Sequence, residues 1–238
     1  MSILIYICKF LDYNSLIPSN DLENYENILG EYMTKVLAVK AHPLTSEGSR
    51  SMQIFEEFLD NYKSVNPNDE VTVLDLYNED FPEIDLDIMS GWGELQAGKD
   101  FSDLTEAQQT KIARFNESTD QFLDSDKIII ANGLWNLNIP TRLKAWIDTI
   151  NVAGKTFKYT ETGPVGLADG KKVLHIQANG GVYEGNDPAA QYIKTIFDFI
   201  GIPEIDTIYT EGAAYAPERA DEIMAASLEE ARNLAKEF

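Results

Sequence analysis

Cysteine is almost missing from this chain: Cys8 is the only one among 238 residues, so no intrachain disulfide can form. That usage fits a reducing, cytoplasmic setting. Histidine is nearly as scarce, and the two present, His42 and His175, stand far apart in sequence. One thiol and two distant imidazoles do not assemble a zinc site, so no metal is expected. Bases are few, 19 against 40 acids, which leaves a formal net charge of −21. A field of that sign repels nucleic-acid phosphates and an anionic membrane surface alike. Long apolar runs are absent too. The longest early candidate, ILIYIC at 3–8, is cut short by Lys9 and Asp12, too short for a span and without the basic flank of a signal peptide. Neither a GxGxxG fingerprint nor a Walker loop occurs, which argues against a Rossmann dehydrogenase and a P-loop NTPase.

What is present is enough for one sizeable core. Hydrophobic residues make up 44% of the chain and aromatics 11%, and the length fits one α/β domain of about 200 residues plus a tail. The tail falls at the N-terminus, where residues 12–31 are polar and acidic. Met33 reads as the functional start, with 1–32 an appendage and 33–238 the domain. The rival reading is an extra strand or helix docked on the body.

From Met33 the pattern alternates. Apolar, β-branched runs at 35–40 (KVLAVK), 71–75, 127–131 (KIIIA), 172–177 (KVLHIQ) and 205–210 read as buried strands. Helical spacing marks 49–63, 141–151, 188–200 and 217–237, with a short helix near 85–97 inside a long 76–104 segment. Thr105 followed by Gln108 forms a capping-box signature for a helix reaching about Asp124. Residues 155–169 read as a small excursion. Strands separated by helices imply a doubly wound five-stranded parallel sheet with helices on both faces.

Such sheets bind ligands in the loops at their carboxyl edge, and three of those loops carry suitable chemistry. The first, AHPLTSEGSRS at 41–51, puts hydroxyls, Gly48 and Arg50 before a helix start, whose free N–H groups suit a phosphate. A serine-rich turn that only caps the helix is an equal alternative. The second, NGLWNLNIP at 132–140, offers the amides of Asn136 and Asn138 for a mixed donor–acceptor edge, and Trp135 and Leu137 for a flat aromatic face. A core tryptophan with turn-forming asparagines is its alternative. The third, ANGGVYEGND at 178–187, has Gly180 and Gly181 for close backbone approach and Tyr183 to border a ring; a plain glycine turn reads equally well. His175, inside a strand pattern, reads as a satisfied core histidine.

At these residues the chain resembles the FMN-dependent NADH-azoreductase family, the flavodoxin-like bacterial quinone and azo reductases. The resemblance covers about residues 33–238 and is carried by KVLAVKAHPLTSEGSRS at 35–51, LWNLNIPTRLKAWIDTINVAGKTFKYT at 134–160, TGPVGL at 162–167 and HIQANGGVYEG at 175–185. It implies a flavodoxin-like fold and a homodimer with one non-covalent FMN per subunit. The cofactor contacts it implies fall on His42, Ser49, Arg50 and Ser51, on Leu134, Trp135, Asn136 and Leu137, and on Ala178, Asn179, Gly180 and Gly181; Tyr183, read from its loop alone, is the substrate-binding candidate. Some members have Ser-Gln-Ser where this chain has Ser49-Arg50-Ser51, and methionine where it has Leu134. The implied reaction is ping-pong: two-electron hydride transfer from NADH or NADPH through flavin N5 to quinones or aromatic azo compounds, with no side-chain nucleophile. A flavodoxin-like electron carrier and an FMN-binding regulator without turnover are the alternatives to an enzyme.

Overall fold

Seven consecutive residues of Lys35–Ala41 (β1) are apolar or long-stemmed, and Val36 to Val39 are fully or almost fully buried. A strand buried on both faces has no polar alternation, which is why the run reads as continuous. In a computed structural model of the chain, residues 33–238 are described, and residues 34–238 form one unit. The expectation that 1–32 are an appendage lies outside the described residues.

The elements follow as Arg50–Val65 (α1), Glu70–Asp75 (β2), Leu86–Gln96 (α2), Glu106–Asp124 (α3), Lys127–Gly133 (β3), Thr141–Ile150 (α4), Phe157–Thr160 (β4), Gly163–Gly166 (β5), Lys172–Ala178 (β6), Pro188–Phe199 (α5), Asp206–Thr210 (β7) and Ala220–Glu237 (α6). The five main strands pair in the order β2-β1-β3-β6-β7, all parallel. The expected doubly wound sheet is therefore present. The excursion at 155–169 is an antiparallel hairpin of β4 and β5. The last helix begins at Ala220 rather than 217, because Pro217 opens a separate 3-10 turn ending at Arg219.

Alternation along the strands divides the core. Leu37, Val39, Ile128, Ile130 and Val173 pack with Trp146 and Ile147 of α4, Phe122 of α3 and Phe197 of α5. Val36, Ala38, Ile129, Leu174 and Ile176 pack with Met52, Phe58 and Tyr62 of α1 and Ala231 and Ala235 of α6. Helices thus cover both faces. The capping box is formed as its spacing predicts: the Gln108 N–H donates to Thr105 Oγ1, and the Thr105 N–H to Gln108 Oε1 at 2.8 Å.

The chain leaves β1 toward β2 on one side and returns as β3 on the other. That reversal opens a crevice at the carboxyl ends of β1 and β3.

Candidate functional site

A cavity of about 480 Å³ occupies that crevice, lined by residues from all three loops: His42, Glu47–Ser51 and Gln53 after β1, Gly133–Trp135 after β3, and Ala178–Gly180 after β6. Its size falls within the usual range for cofactor sites, roughly 300–1,000 Å³. Of the residues expected at a site, His42, Ser49, Arg50, Ser51, Leu134, Trp135, Ala178, Asn179 and Gly180 line it. Asn136, Leu137, Gly181 and Tyr183 stand in the same loops but do not line the cavity.

The β1 loop meets the start of α1 without capping it. Ser49, at the N-cap position, makes no side-chain capping bond, and no acidic residue sits in the first turn. By contrast, α2, α3 and α5 are each capped by a side chain, from Asp85, Thr105 and Asp187. Ser49 and Ser51 instead pair hydroxyl to hydroxyl at 3.1 Å, both buried. Arg50 beside them has no ion-pair partner among the described residues. Open N–H groups, two hydroxyls and one cation make an anion end.

His42 completes that end. The Leu44 N–H donates to its Nδ1 at 3.0 Å, so the neutral ring carries its proton on Nε2. Burial and then Lys40 lower its pKa below the ordinary 6.5, which keeps the ring neutral at physiological pH.

The β3 loop is a two-residue turn. Trp135 and Asn138 exchange both backbone hydrogen bonds at 3.0 Å, and Asn136 and Leu137 between them have φ of 50° and 61°. Two left-handed residues in succession define a type I′ turn, the geometry usually given to Asn-Gly. A leucine there is strained. Gly133, ahead of the turn, lets the indole fold back: a Cβ on Gly133 would lie 2.8 Å from Trp135 Nε1. Trp135 is 37% exposed, a rim residue rather than core.

The β6 loop is backed by buried polar side chains. His175, fully buried, donates from Nε2 to Asn132 Oδ1 at 2.8 Å, while Asn132 Nδ2 donates to the Gly133 carbonyl at 3.1 Å. Gln177 donates to Asp187, which caps α5. His175 is the satisfied core histidine that its strand pattern predicts. Asn179 Oδ1, by contrast, is buried with no partner, an orphan acceptor in a residue that lines the cavity.

Glu47, Gly48 and Gly133 line the cavity from within the expected loops without having been named among the contacts, and Gln53 lies beyond those loops, inside α1, where its sequence gave no signal. The Asn179 amide and the flat Trp135 rim, together with the anion end, suit a phosphorylated aromatic ring system such as FMN, whereas Asn138 Oδ1 is taken by the Ile139 N–H at 2.8 Å. The uncapped α1 start and the unsatisfied Asn179 acceptor are the observations that fit it.

Comparison with known proteins gives the same direction. A family model described as a flavodoxin-like fold matches residues 34–235. An FMN-dependent NADH:quinone oxidoreductase of Geobacillus kaustophilus is 47% identical over 212 residues, 87% of this chain and 100% of that protein. One of Staphylococcus haemolyticus is 49% identical over 213 residues, with the same coverage. Among solved structures, an azoreductase of Bacillus anthracis superposes with a TM-score of 0.80 at 41% identity, covering 87% of this chain and all of the other. An FMN-dependent NADH-azoreductase of the same species, in complex with FMN, gives 0.76 at 34%, covering 85% and 100%.

Proposed function

Since the chain belongs to the flavodoxin-like family of FMN-dependent NADH:quinone oxidoreductases and azoreductases, we propose that it oxidises NADH and reduces quinones, and cleaves aromatic azo compounds, through FMN held in the crevice between β1 and β3. The observation that carries this reading is the convergence of three strand-to-helix loops on one cavity with an uncapped helix start at one end.

Bound FMN supplies two-electron hydride chemistry at N5, so donor and acceptor use one slot in turn. The chain's own residues do the rest. Ser49, Arg50, Ser51 and the first N–H groups of α1 hold the phosphate, with His42 beside them. Leu134 and Trp135, with Asn136 and Leu137 in the same turn, would hold the ring, and Ala178, Asn179 and Gly180, with Gly181 next to them, would offer it backbone and amide groups. Tyr183, in the same loop but outside the cavity lining, would contact the substrate. No side chain acts as a nucleophile: the protein orients the reactants.

A homodimer belongs to the same proposal. Leu86 and Met89, three apart and hence on one face of α2, are 81% and 58% exposed, an apolar face that a second copy would cover. Among the described residues no helix is long and apolar enough to cross a membrane. A cytoplasmic site of action is supported by NADH as donor and by the single cysteine.

The test is an anaerobic absorbance titration of the purified protein. A yellow protein that bleaches on NADH and recovers its colour on adding a quinone supports both half-reactions. A protein that stays colourless with added FMN refutes the reading, and one that binds FMN but does not bleach with NADH is a carrier or a regulator.

A further inference from the structure

Glu211 lies one residue beyond β7 and does not line the cavity. Its carboxylate is nonetheless fully engaged. Oε2 accepts from the backbone N–H of Tyr183 at 2.6 Å and of Glu184 at 2.7 Å. Oε1 accepts from the Gly185 N–H at 3.3 Å and from Asn179 Nδ2 at 3.4 Å. Successive N–H groups converging on one point form an anion cradle. The chain bends sharply to make it, with left-handed φ at Glu184 and Gly185 of 53° and 67°. Gly185 also needs its missing side chain, because a Cβ there would lie 2.6 Å from the Tyr209 ring. Burial opposes the charge, but the backbone N–H groups and Asn179 outweigh it and hold the carboxyl below the usual glutamate range.

The same two loops are joined along their backbones. The Asn179 N–H donates to the Thr210 carbonyl at 2.9 Å, Gly212 to Gly181 at 2.8 Å and Ala214 to Gly180 at 3.1 Å. The 178–187 loop therefore has two sides: Ala178, Asn179 and Gly180 face the cavity, and the 210–214 segment holds it from behind. Asn179 is gripped twice, by Thr210 at its backbone and by Glu211 at its amide nitrogen. That leaves the buried Oδ1 as the one unpartnered atom of the amide.

We propose that Glu211 is a positioning residue of the flavin site, whose carboxylate, seated in the N–H cradle of residues 183–185, holds the glycine loop and the Asn179 amide in the binding arrangement. A loop with Gly180, Gly181 and Gly185 has many conformations to lose. A ligand that binds only the closed arrangement has its apparent affinity scaled down by the fraction of molecules in that arrangement. Glu211 raises that fraction before the ligand arrives. The inference rests on the FMN reading, and the wild-type control separates the two.

The experiment uses flavin-stripped full-length protein, wild type, Glu211→Gln and Glu211→Ala, titrated into FMN with quenching of flavin fluorescence as the readout. Each titration is repeated with sodium formate and with sodium chloride at equal ionic strength. Both variants bind FMN about tenfold more weakly, the scale of lost hydrogen bonds to a charged group. Formate, a small carboxylate able to refill the empty cradle, restores most of the affinity of Glu211→Ala; chloride does not, and neither salt strengthens the wild type. Unchanged affinity in both variants overturns the proposal. Failure of formate to restore Glu211→Ala overturns it too, as does loss of the far-UV dichroism of Glu211→Gln, which would mark a residue of the fold rather than of the site. A wild-type protein that does not bind FMN overturns the flavin reading and this inference with it.

Discussion

The His42 imidazole meets the Trp135 indole edge-on, with ring centroids 5.2 Å apart and planes inclined by 66°. Tyr77 approaches the same indole at 6.3 Å. The rim of the β3 loop is thus braced from the β1 and β2 loops, although Trp135 itself is partly open to solvent. Such edge-on aromatic contacts contribute about 0.5–1.5 kcal/mol each. They tie the anion end of the cavity to the ring end, so a change at one loop is felt at another.

The glycine loop gives the sharpest substitution. A Cβ on Gly180 would lie 2.8 Å from the Ala214 Cβ, so Gly180→Val forces the two loops apart at the edge of the cavity. The expected protein folds, with a stability loss of about 1–3 kcal/mol, and no longer retains FMN. Retained yellow colour at wild-type intensity after gel filtration would contradict the assignment.

Arg50 is the cation of the anion end, so its effect should depend on the phosphate. Arg50→Ala is expected to weaken FMN by about tenfold at low ionic strength while leaving riboflavin affinity unchanged. The comparison of the two ligands by fluorescence titration is decisive. An equal loss for both would place Arg50 away from the phosphate.

The strained turn predicts a gain from removing a hydrophobic side chain. Leu137 holds φ at 61° and is 53% exposed, so its side chain contributes little burial. A non-glycine residue in this region costs roughly 1–2 kcal/mol, and glycine returns part of that gain through its flexible unfolded state. Leu137→Gly should therefore raise the apo-protein's thermal midpoint by about 2 °C. A midpoint lowered by several degrees would mean that Leu137 makes contacts which outweigh the strain.

Acid stability tests the buried histidine. Burial first, with Lys194 second, pushes the His175 pKa from 6.5 to about 3. Between those values the unfolded chain binds a proton that the folded chain refuses, so the unfolded state gains as pH falls. The stability is intact above 6.5 and is lost toward 3, at about 1.4 kcal/mol per pH unit. His175→Gln removes that component, while Asp75 and Glu211, both held low, titrate in either protein. From pH ~7 to pH ~5 the wild type should lose about 2 kcal/mol more than the variant, read from urea midpoints. Parallel losses in the two proteins would show that His175 is not held neutral.

Most elements were legible because their signals are local. KIIIA at 127–131 is a strand because β-branched apolar residues without helical period fit a sheet buried on both faces, and β3 forms there. Thr105 and Gln108 announced the start of α3 because a capping box spans only three residues. The serine, asparagine and glycine loops were visible for the same reason. Glu211 was not, because its carboxylate finds its N–H partners 26 to 28 residues back along the chain. A turn at the asparagines was one of two readings of the β3 loop, but its type was hidden: Asn136-Leu137 lacks the glycine that marks a type I′ turn, and only the surrounding structure holds a leucine at positive φ.

By itself the sequence determined an α/β alternation, the strand runs and the three loops with ligand chemistry, since periodicity and turn preference act over a few residues. Only the tertiary structure decided the strand order β2-β1-β3-β6-β7, and with it the reversal that brings the loops to one crevice. The choice of neighbours depends on burying both faces of the whole sheet at once, a global condition that no short segment encodes.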